Sequence, residues 1–221
     1  MADRLNVLVI DGHPDRGRLI GALLDGYVRA LPAGTGVERV AVRDLAFDPM
    51  LRRGYGPEQP WEPDLAKVAD ALDRADHIVL GFPLWWGAEP ALLKGLMDRL
   101  LLPGFAFKYR RGSAWWDKLL AGRSADLIIT MDTPPWFLRL VYRDAVGVRW
   151  KKQILGFCGV APIRVFRLGM VRRGGVKRSL ASWTAQLERA ARSAGKLNRR
   201  AKLKLAMSSA TYASAVADRQ S

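Results

Sequence analysis

The chain of 221 residues has a formal net charge of +15 at pH 7, one cysteine and two histidines. Its length suits one domain with an extension. A single cysteine excludes an internal disulfide, and so few thiols and imidazoles exclude a structural zinc site built by the protein alone. Residues 1–100 carry 12 basic and 15 acidic side chains, whereas residues 164–204 carry 13 basic ones and one acid, Glu188. This uneven charge disfavours a nucleic-acid binder with a uniformly basic surface.

Strands and helices are predicted to alternate along the chain. Apolar, β-branched runs predict strands, and apolar residues at helical spacing predict helices. In chain order the predicted elements are strand 5–10, helix 18–31, strand 37–42, a surface loop 44–63, helix 65–75, strand 77–82, a helix from Pro90, strand 124–131, an irregular stretch 136–150, helix 148–157, strand 162–168 and helix 180–197. This alternation predicts an α/β fold with a parallel sheet covered by helices on both faces. Strands 1, 3, 4 and 5 are expected at the centre of the sheet because they are the most apolar.

The chain is expected to comprise two regions. Residues 1–197 form one domain, and residues 198–221 form a basic, Ala/Ser-rich C-terminal extension that fits no core. The extension is either a solvated helix end or a surface for anionic lipid or an acidic partner. The N terminus has no signal-peptide pattern, and no run approaches about 18 apolar residues, so a cytoplasmic location is expected.

The most informative stretch connects the third strand to the next helix. Two adjacent tryptophans and a glycine, Trp85, Trp86 and Gly87, lie between this strand and a helix opened by Pro90. In an open α/β sheet such a connection lies at the carboxyl ends of the strands, where ligands bind. The pattern is typical of a surface that covers a flat ligand, and the alternative is that both indoles are core or interface aromatics.

Three segments resemble the NAD(P)H:quinone oxidoreductase family. They are Phe82-Pro83-Leu84-Trp85-Trp86, the helix start Pro90-Ala91-Leu92-Leu93-Lys94-Gly95, and Gly104-Phe105-Ala106-Phe107. The resemblance extends over about residues 5–195. It implies a flavodoxin-like fold with five parallel strands in the order 2-1-3-4-5, a bound flavin (FMN or FAD), NAD(P)H as co-substrate and a homodimer.

The resemblance also implies roles for single residues. His13 would lie near the flavin phosphate, the segment from Pro83 to Trp86 would line the isoalloxazine, and Thr130 would open the loop after strand 4. Two loops depart from the family pattern. Thr130-Met131-Asp132-Thr133 stands where close members have Thr-Thr-Gly-Gly, and Arg18-Leu19-Ile20 stands where many have Ser-Phe-Asn.

In this strand order the loops after strands 1 and 3 face each other across a crevice, and the loop after strand 4 borders it. The amides at the start of the first helix favour a phosphate, and Arg16 or Arg18 would add a cation. Gly87 permits a close backbone approach. The predicted cofactor-binding residues are His13, Arg16, Arg18, Pro83, Leu84, Trp85, Trp86, Gly87, Thr130, Met131, Asp132 and Thr133. We predict no metal site.

These residues predict an NAD(P)H-dependent flavin oxidoreductase that passes a hydride to a quinone-like acceptor in a ping-pong cycle. Flavin chemistry needs few reactive side chains, which agrees with the shortage of His and Cys. Tyr142 is the candidate proton donor, with a packing role as the alternative, while His77 and Cys158 are expected to be structural. The alternative function is a regulatory flavoprotein subunit that docks on a membrane transporter through its basic C-terminal region.

Aromatic pairs outside the crevice suit a dimer contact or cap the core of one subunit. These pairs are Trp115-Trp116 and Trp136-Phe137.

Overall fold

The computed structural model describes residues 4–54 and 59–197. These described residues contain seven strands: β1 (Asn6–Asp11), β2 (Gly36–Ala41), β3 (His77–Pro83), β4 (Phe107–Tyr109), β5 (Trp116–Lys118), β6 (Ser124–Thr130) and β7 (Ile163–Leu168). Five of them form a parallel sheet in the order β2-β1-β3-β6-β7. Counted along the chain without the short pair β4–β5, this is the order 2-1-3-4-5, so the predicted flavodoxin-like topology is confirmed.

Helices cover both faces of the sheet. They are α1 (Leu19–Arg29), α2 (Pro63–Arg74), α3 (Ala91–Leu100), α4 (Pro135–Leu140), α5 (Ala145–Arg149) and α6 (Val176–Arg192). Successive strand side chains point to opposite faces. In β1, Leu8 and Ile10 therefore join one core with α2 and α3, while Val7 and Val9 join a second core with α1 and α6.

Four local predictions were wrong. The sequence analysis missed the antiparallel hairpin β4–β5, whose strands have only three residues each. The stretch 136–150, predicted as irregular, contains α4 and α5. The helix predicted over 148–157 begins at Ala145 and continues from α5 as a π-helical turn, Trp150–Ile154. Last, β7 lies at the edge of the sheet rather than at its centre.

The irregular helix geometry has a packing reason. Trp150 is fully buried, and its ring lies 5.5 Å from the ring of Phe82 on β3. A wider helical turn at this position brings a large aromatic side chain to the sheet. The helical pattern in the sequence did not reveal this, because the contact joins two distant parts of the chain.

A buried polar cluster stabilises the sheet at the amino-terminal ends of β3 and β6. His77 lies 2.8 Å from the Ser124 hydroxyl and 3.1 Å from the Tyr27 hydroxyl, and Tyr27 donates a 2.6 Å hydrogen bond to Asp126. Arg164 donates to both oxygens of Asp126, at 2.7 and 2.6 Å. The ring of His77 is closed to solvent, as a structural role requires.

Cys158 is buried, and burial raises the pKa of its thiol to about 12, which agrees with an inert side chain. In the part of the chain that the structure describes, no cluster of His, Cys, Asp and Glu is suited to a metal ion. No helix among these same residues has the length and apolar character to cross a membrane. The predicted extension, 198–221, lies outside the described residues.

Candidate active site

The two tryptophans after β3 form a tight two-residue turn. The amide of Trp85 donates to the carbonyl of Ala88, and the amide of Ala88 donates to the carbonyl of Trp85, both at 2.9 Å. The central residues Trp86 and Gly87 have φ angles of 50° and 78°. Positive φ at both positions defines a type I′ turn. Gly87 suits this geometry, whereas a residue with a Cβ accepts it at a cost of about 1–2 kcal/mol. The turn therefore projects the Trp86 indole fully into solvent under backbone strain.

The loop after β1 meets this turn directly. The rings of His13 and Trp85 pack edge to face, with centroids 5.6 Å apart and an interplanar angle of 84°. Partial burial lowers the pKa of His13, against the opposing effect of Asp11, and so favours the neutral imidazole. The loops after β1 and β3 therefore meet as predicted, and the half-exposed Trp85 indole lies at their contact.

Two further residues fix the loop after β1. The buried Asp11 carboxylate accepts a hydrogen bond of 3.1 Å from the His13 amide. Arg43 donates to Asp11 at 2.8 Å and to the His13 carbonyl at 3.1 Å. The sequence analysis did not identify Arg43, because it lies after β2 and reaches the loop only through the fold.

The start of α1 offers free amides to an anion. Arg18 precedes the helix without capping it by its side chain, and the first helical turn contains no acidic residue. Uncapped amides at a helix N-terminus fit a phosphate. The two predicted cations are already paired, however: Arg16 with Asp44, and Arg18 with Asp15 through an Nε–Oδ2 hydrogen bond of 2.8 Å. The backbone amides of the first turn are therefore groups available to a phosphate, beside two arginines that already have carboxylate partners at the surface.

The loop after β6 lies beside the tryptophan turn. The Leu84 amide donates to the Thr130 carbonyl at 2.8 Å. Thr130 and Met131 are buried, so they shape this edge chiefly through their backbone. Asp132 is held by Arg172, whose amide donates to it at 2.9 Å and whose Nε lies 3.2 Å from it.

A cavity of about 350 Å³ opens next to this loop. It is lined by Asp132, Thr133, Pro134, Phe137, Tyr142 and Met170. The structure thus brings the candidate proton donor, Tyr142, to the loop after β6. A second cavity of about 370 Å³ lies between α3, the β4–β5 hairpin and the helix that begins with α5, and none of its lining residues belongs to the three crevice loops.

A buried ion pair anchors the tryptophan turn from behind. Glu89 is buried and pairs with Arg149, and it also accepts a hydrogen bond of 3.2 Å from Trp150 Nε1. These contacts join the turn after β3 to the helix that follows β6. The sequence analysis missed them, although an acidic residue directly before Pro90 in an apolar stretch is a signal that could have indicated a buried pair.

Comparisons with known proteins agree with this architecture. The profile of the family described as "Flavodoxin-like fold" matches residues 5–192, so the chain belongs to that family. It is 31% identical over 210 residues to the NAD(P)H dehydrogenase [quinone] 1 of Rattus norvegicus, which covers 82% of this chain and 76% of the rat protein. The predicted family resemblance is thereby confirmed.

Two further proteins, one relative and one solved structure, are also similar to this chain. An uncharacterized NAD(P)H oxidoreductase of Haemophilus influenzae is 35% identical over 121 residues, which are 50% of this chain and 57% of that protein, little more than half its length. The solved structure of an NAD(P)H:quinone oxidoreductase from Methanothermobacter marburgensis superposes with a TM-score of 0.71. At 22% identity over 86% of this chain and 98% of the other, this last match supports the fold.

Proposed function

We propose that this protein is an NAD(P)H-dependent flavin oxidoreductase that reduces quinone-like acceptors. The observation that carries the proposal is the contact between His13 and Trp85, which brings the phosphate-type loop after β1 against the tryptophan turn after β3. A phosphorylated aromatic cofactor needs both walls at once, one for its charge and one for its ring. The family relatives named above support the same activity.

The residues present fit a flavin phosphate ester, FMN or FAD. The uncapped amides of α1 would hold a phosphate, and the exposed faces of Trp85 and Trp86 would cover the isoalloxazine. When bound, the flavin supplies hydride transfer between nicotinamide and acceptor. The protein contributes orientation, through the rigid turn that Glu89 anchors, and a neutral His13 that adds no positive charge beside the ring.

Tyr142 is the proposed proton donor to the reduced acceptor. Its side chain lines the cavity beside the loop after β6, and the residue as a whole is exposed to solvent. A phenol at the mouth of the acceptor site can pass a proton while bulk water restores it. The ping-pong order, in which NAD(P)H and the quinone use the same crevice in turn, is part of this proposal.

We propose a homodimer as the working assembly, supported by exposed aromatics on the β4–β5 hairpin such as Tyr109 and Trp115. The cytoplasmic location expected from the sequence remains a prediction. The alternative function as a regulatory subunit also remains a prediction, because it depends on residues 198–221, which lie outside the described part of the chain.

The test is direct. The purified protein is expected to show flavin absorbance that is bleached by NADPH or NADH and restored by a quinone. Mass spectrometry of the released cofactor distinguishes FMN from FAD. A colourless protein that binds neither FMN nor FAD would refute the proposal.

A further inference from the structure

The segment 136–143, which we call the α4 tip, exposes more apolar surface than its length suggests. The exposed fraction is 62% for Trp136 and 75% for Leu140, and Val141 and Tyr142 are also exposed. Leu138 points the opposite way, is buried, and fastens the segment to the core. The α4 tip is thus a fixed helical turn that presents four large apolar side chains to solvent, the kind of patch that marks an interaction site.

Aromatic stacking makes this projection rigid. The ring of Trp136 meets that of Phe137 edge to face at 5.6 Å, and Phe137 meets Tyr142 in the same manner at 5.3 Å. The amide of Val141 donates to the Phe137 carbonyl at 2.9 Å and closes the last helical turn. The exposed groups are therefore held in place before any partner arrives.

The charge around this patch is of one sign. Arg139 and Arg143 lie within the α4 tip and are exposed. The acidic side chains on either side are engaged elsewhere, Asp132 with Arg172 and Asp144 with Arg167. An occupant of this surface must therefore be apolar and anionic.

We propose that the α4 tip docks on an anionic phospholipid surface. Trp136 and Tyr142 are residues that favour the level of the lipid headgroups. Leu140 and Val141 would enter the acyl boundary, and Arg139 and Arg143 would be attracted to the negative charge of an anionic leaflet. A second copy of the chain is a poorer occupant, because a two-fold contact pairs the same patch on both molecules and would bring the arginines together.

The position of the patch suggests which acceptor the protein reduces, and this part of the inference rests on the proposed function. Phe137 and Tyr142 belong to the α4 tip and also line the 350 Å³ cavity with Thr133. Through the hydrogen bond between Leu84 and Thr130, the loop that carries Thr133 lies beside the tryptophan turn. An acceptor that leaves the bilayer along the α4 tip therefore enters the crevice directly. The substrate class that this route serves is a lipid-soluble quinone with a long apolar tail.

The experiment is co-sedimentation of the full-length holoprotein with vesicles. One vesicle set contains phosphatidylcholine alone and the other contains phosphatidylcholine with phosphatidylglycerol. The test variant is W136A/L140A, and the matched control is M50A, whose side chain is 59% exposed in the loop between β2 and α2. We expect binding to the anionic vesicles, weakened by salt, reduced at least about tenfold in W136A/L140A and unchanged in M50A.

Three results would overturn the proposal. The first is that the wild type sediments with neither vesicle set. The second is that W136A/L140A binds the vesicles as well as the wild type does, which would assign docking to another basic region. The third is that W136A/L140A changes from dimer to monomer in the absence of vesicles. Reduction of a short-chain, water-soluble quinone is measured in parallel. If the wild type fails in that assay the proposed function fails, while sedimentation still decides the docking. The single variant L140A leaves the Trp136–Phe137–Tyr142 packing intact, so we expect it to keep that soluble activity and to lose rate only with a long-chain quinone embedded in vesicles.

Discussion

The imidazole of His13 packs edge to face on the indole of Trp85, with their centroids 5.6 Å apart, although the two residues lie on loops that follow different strands. The order of the sheet brings these loops together, because β1 and β3 are neighbours and point in the same direction. This contact defines the crevice in which the flavin is proposed to bind, and it leads to the first prediction.

Replacing Trp85 with alanine is expected to weaken flavin retention. The change removes one wall of the crevice and the aromatic contact to His13, and a lost aromatic contact of about 1.4 kcal/mol corresponds to about a tenfold higher Kd. Titration of the apoprotein with the flavin found in the wild type, followed by fluorescence, measures the change. Trp115→Ala is the control, and equal retention in the two variants would contradict the assigned site.

Trp86→Asn separates stability from binding at the tryptophan turn. Asn followed by Gly87 is a favoured sequence for a type I′ turn, so the variant relieves the strain of a bulky residue at a φ of 50°. We expect the free energy of unfolding of the apoprotein to rise by about 1 kcal/mol in urea titrations. Flavin affinity is expected to fall, and an unchanged affinity would show that the exposed indole does not contact the cofactor.

The ion pair of Glu89 and Arg149 is expected to couple the stability of the tryptophan turn to that of the helix α5. Glu89→Gln leaves the half-buried Arg149 without its counter-charge, and we expect a loss of about 2 kcal/mol in unfolding free energy. The double variant E89Q/R149M should lose less than the sum of the single changes, because it leaves no unpaired charge. A double-mutant cycle measures this coupling, and strictly additive losses would contradict the pair.

Acid should destabilise the protein through Asp126. Burial alone raises the pKa of this carboxyl, but hydrogen bonds from His77, Arg164 and Tyr27 outweigh burial and lower the pKa to about 2 from 3.8. The folded state therefore binds this proton less readily than the unfolded state, and the stabilisation present above about pH 4 is lost as the pH falls toward 2. The difference of pKa corresponds to about 2 kcal/mol.

The measurement is the free energy of unfolding of wild type and Asp126→Asn between pH 5 and about pH 2. Asn keeps the size of the side chain and cannot titrate. The wild type should lose stability more steeply on acidification, so that the gap between the two proteins narrows. A gap that stays constant over this range would show that Asp126 does not carry the effect.

Tyr142→Phe tests the proton donor by separating the two half-reactions. Reduction of the bound flavin by NAD(P)H should be unchanged, since the phenol lines only the acceptor side in this proposal. Reoxidation by a quinone should slow by about 10²-fold, which is the lower range for general acid catalysis. Stopped-flow absorbance of the flavin measures both steps, and equal reoxidation rates would assign Tyr142 to packing.

The sequence by itself determined the elements and their order. Alternating apolar strands and helices with 3.6-residue periodicity predicted β1, β2, β3, β6 and β7 along the chain, because burial of one helix face or both sheet faces leaves a local pattern. The spatial order of these strands in the sheet was implied by the family resemblance. The tryptophan turn was also visible, because two adjacent indoles before a helix-opening proline are rare. These signals lie within short segments, so no knowledge of distant contacts is needed to find them.

Only the tertiary structure decided which side chains meet. Arg43 fixing the loop after β1, Glu89 pairing with Arg149, and the π-helical turn that buries Trp150 all join residues far apart in the chain. It also showed that Arg16 and Arg18 are paired with carboxylates rather than free for a phosphate. The sequence around a charged or aromatic residue does not show which side chain it will contact. The energy of such a contact depends on burial and geometry, and these arise only when the sheet and helices have packed.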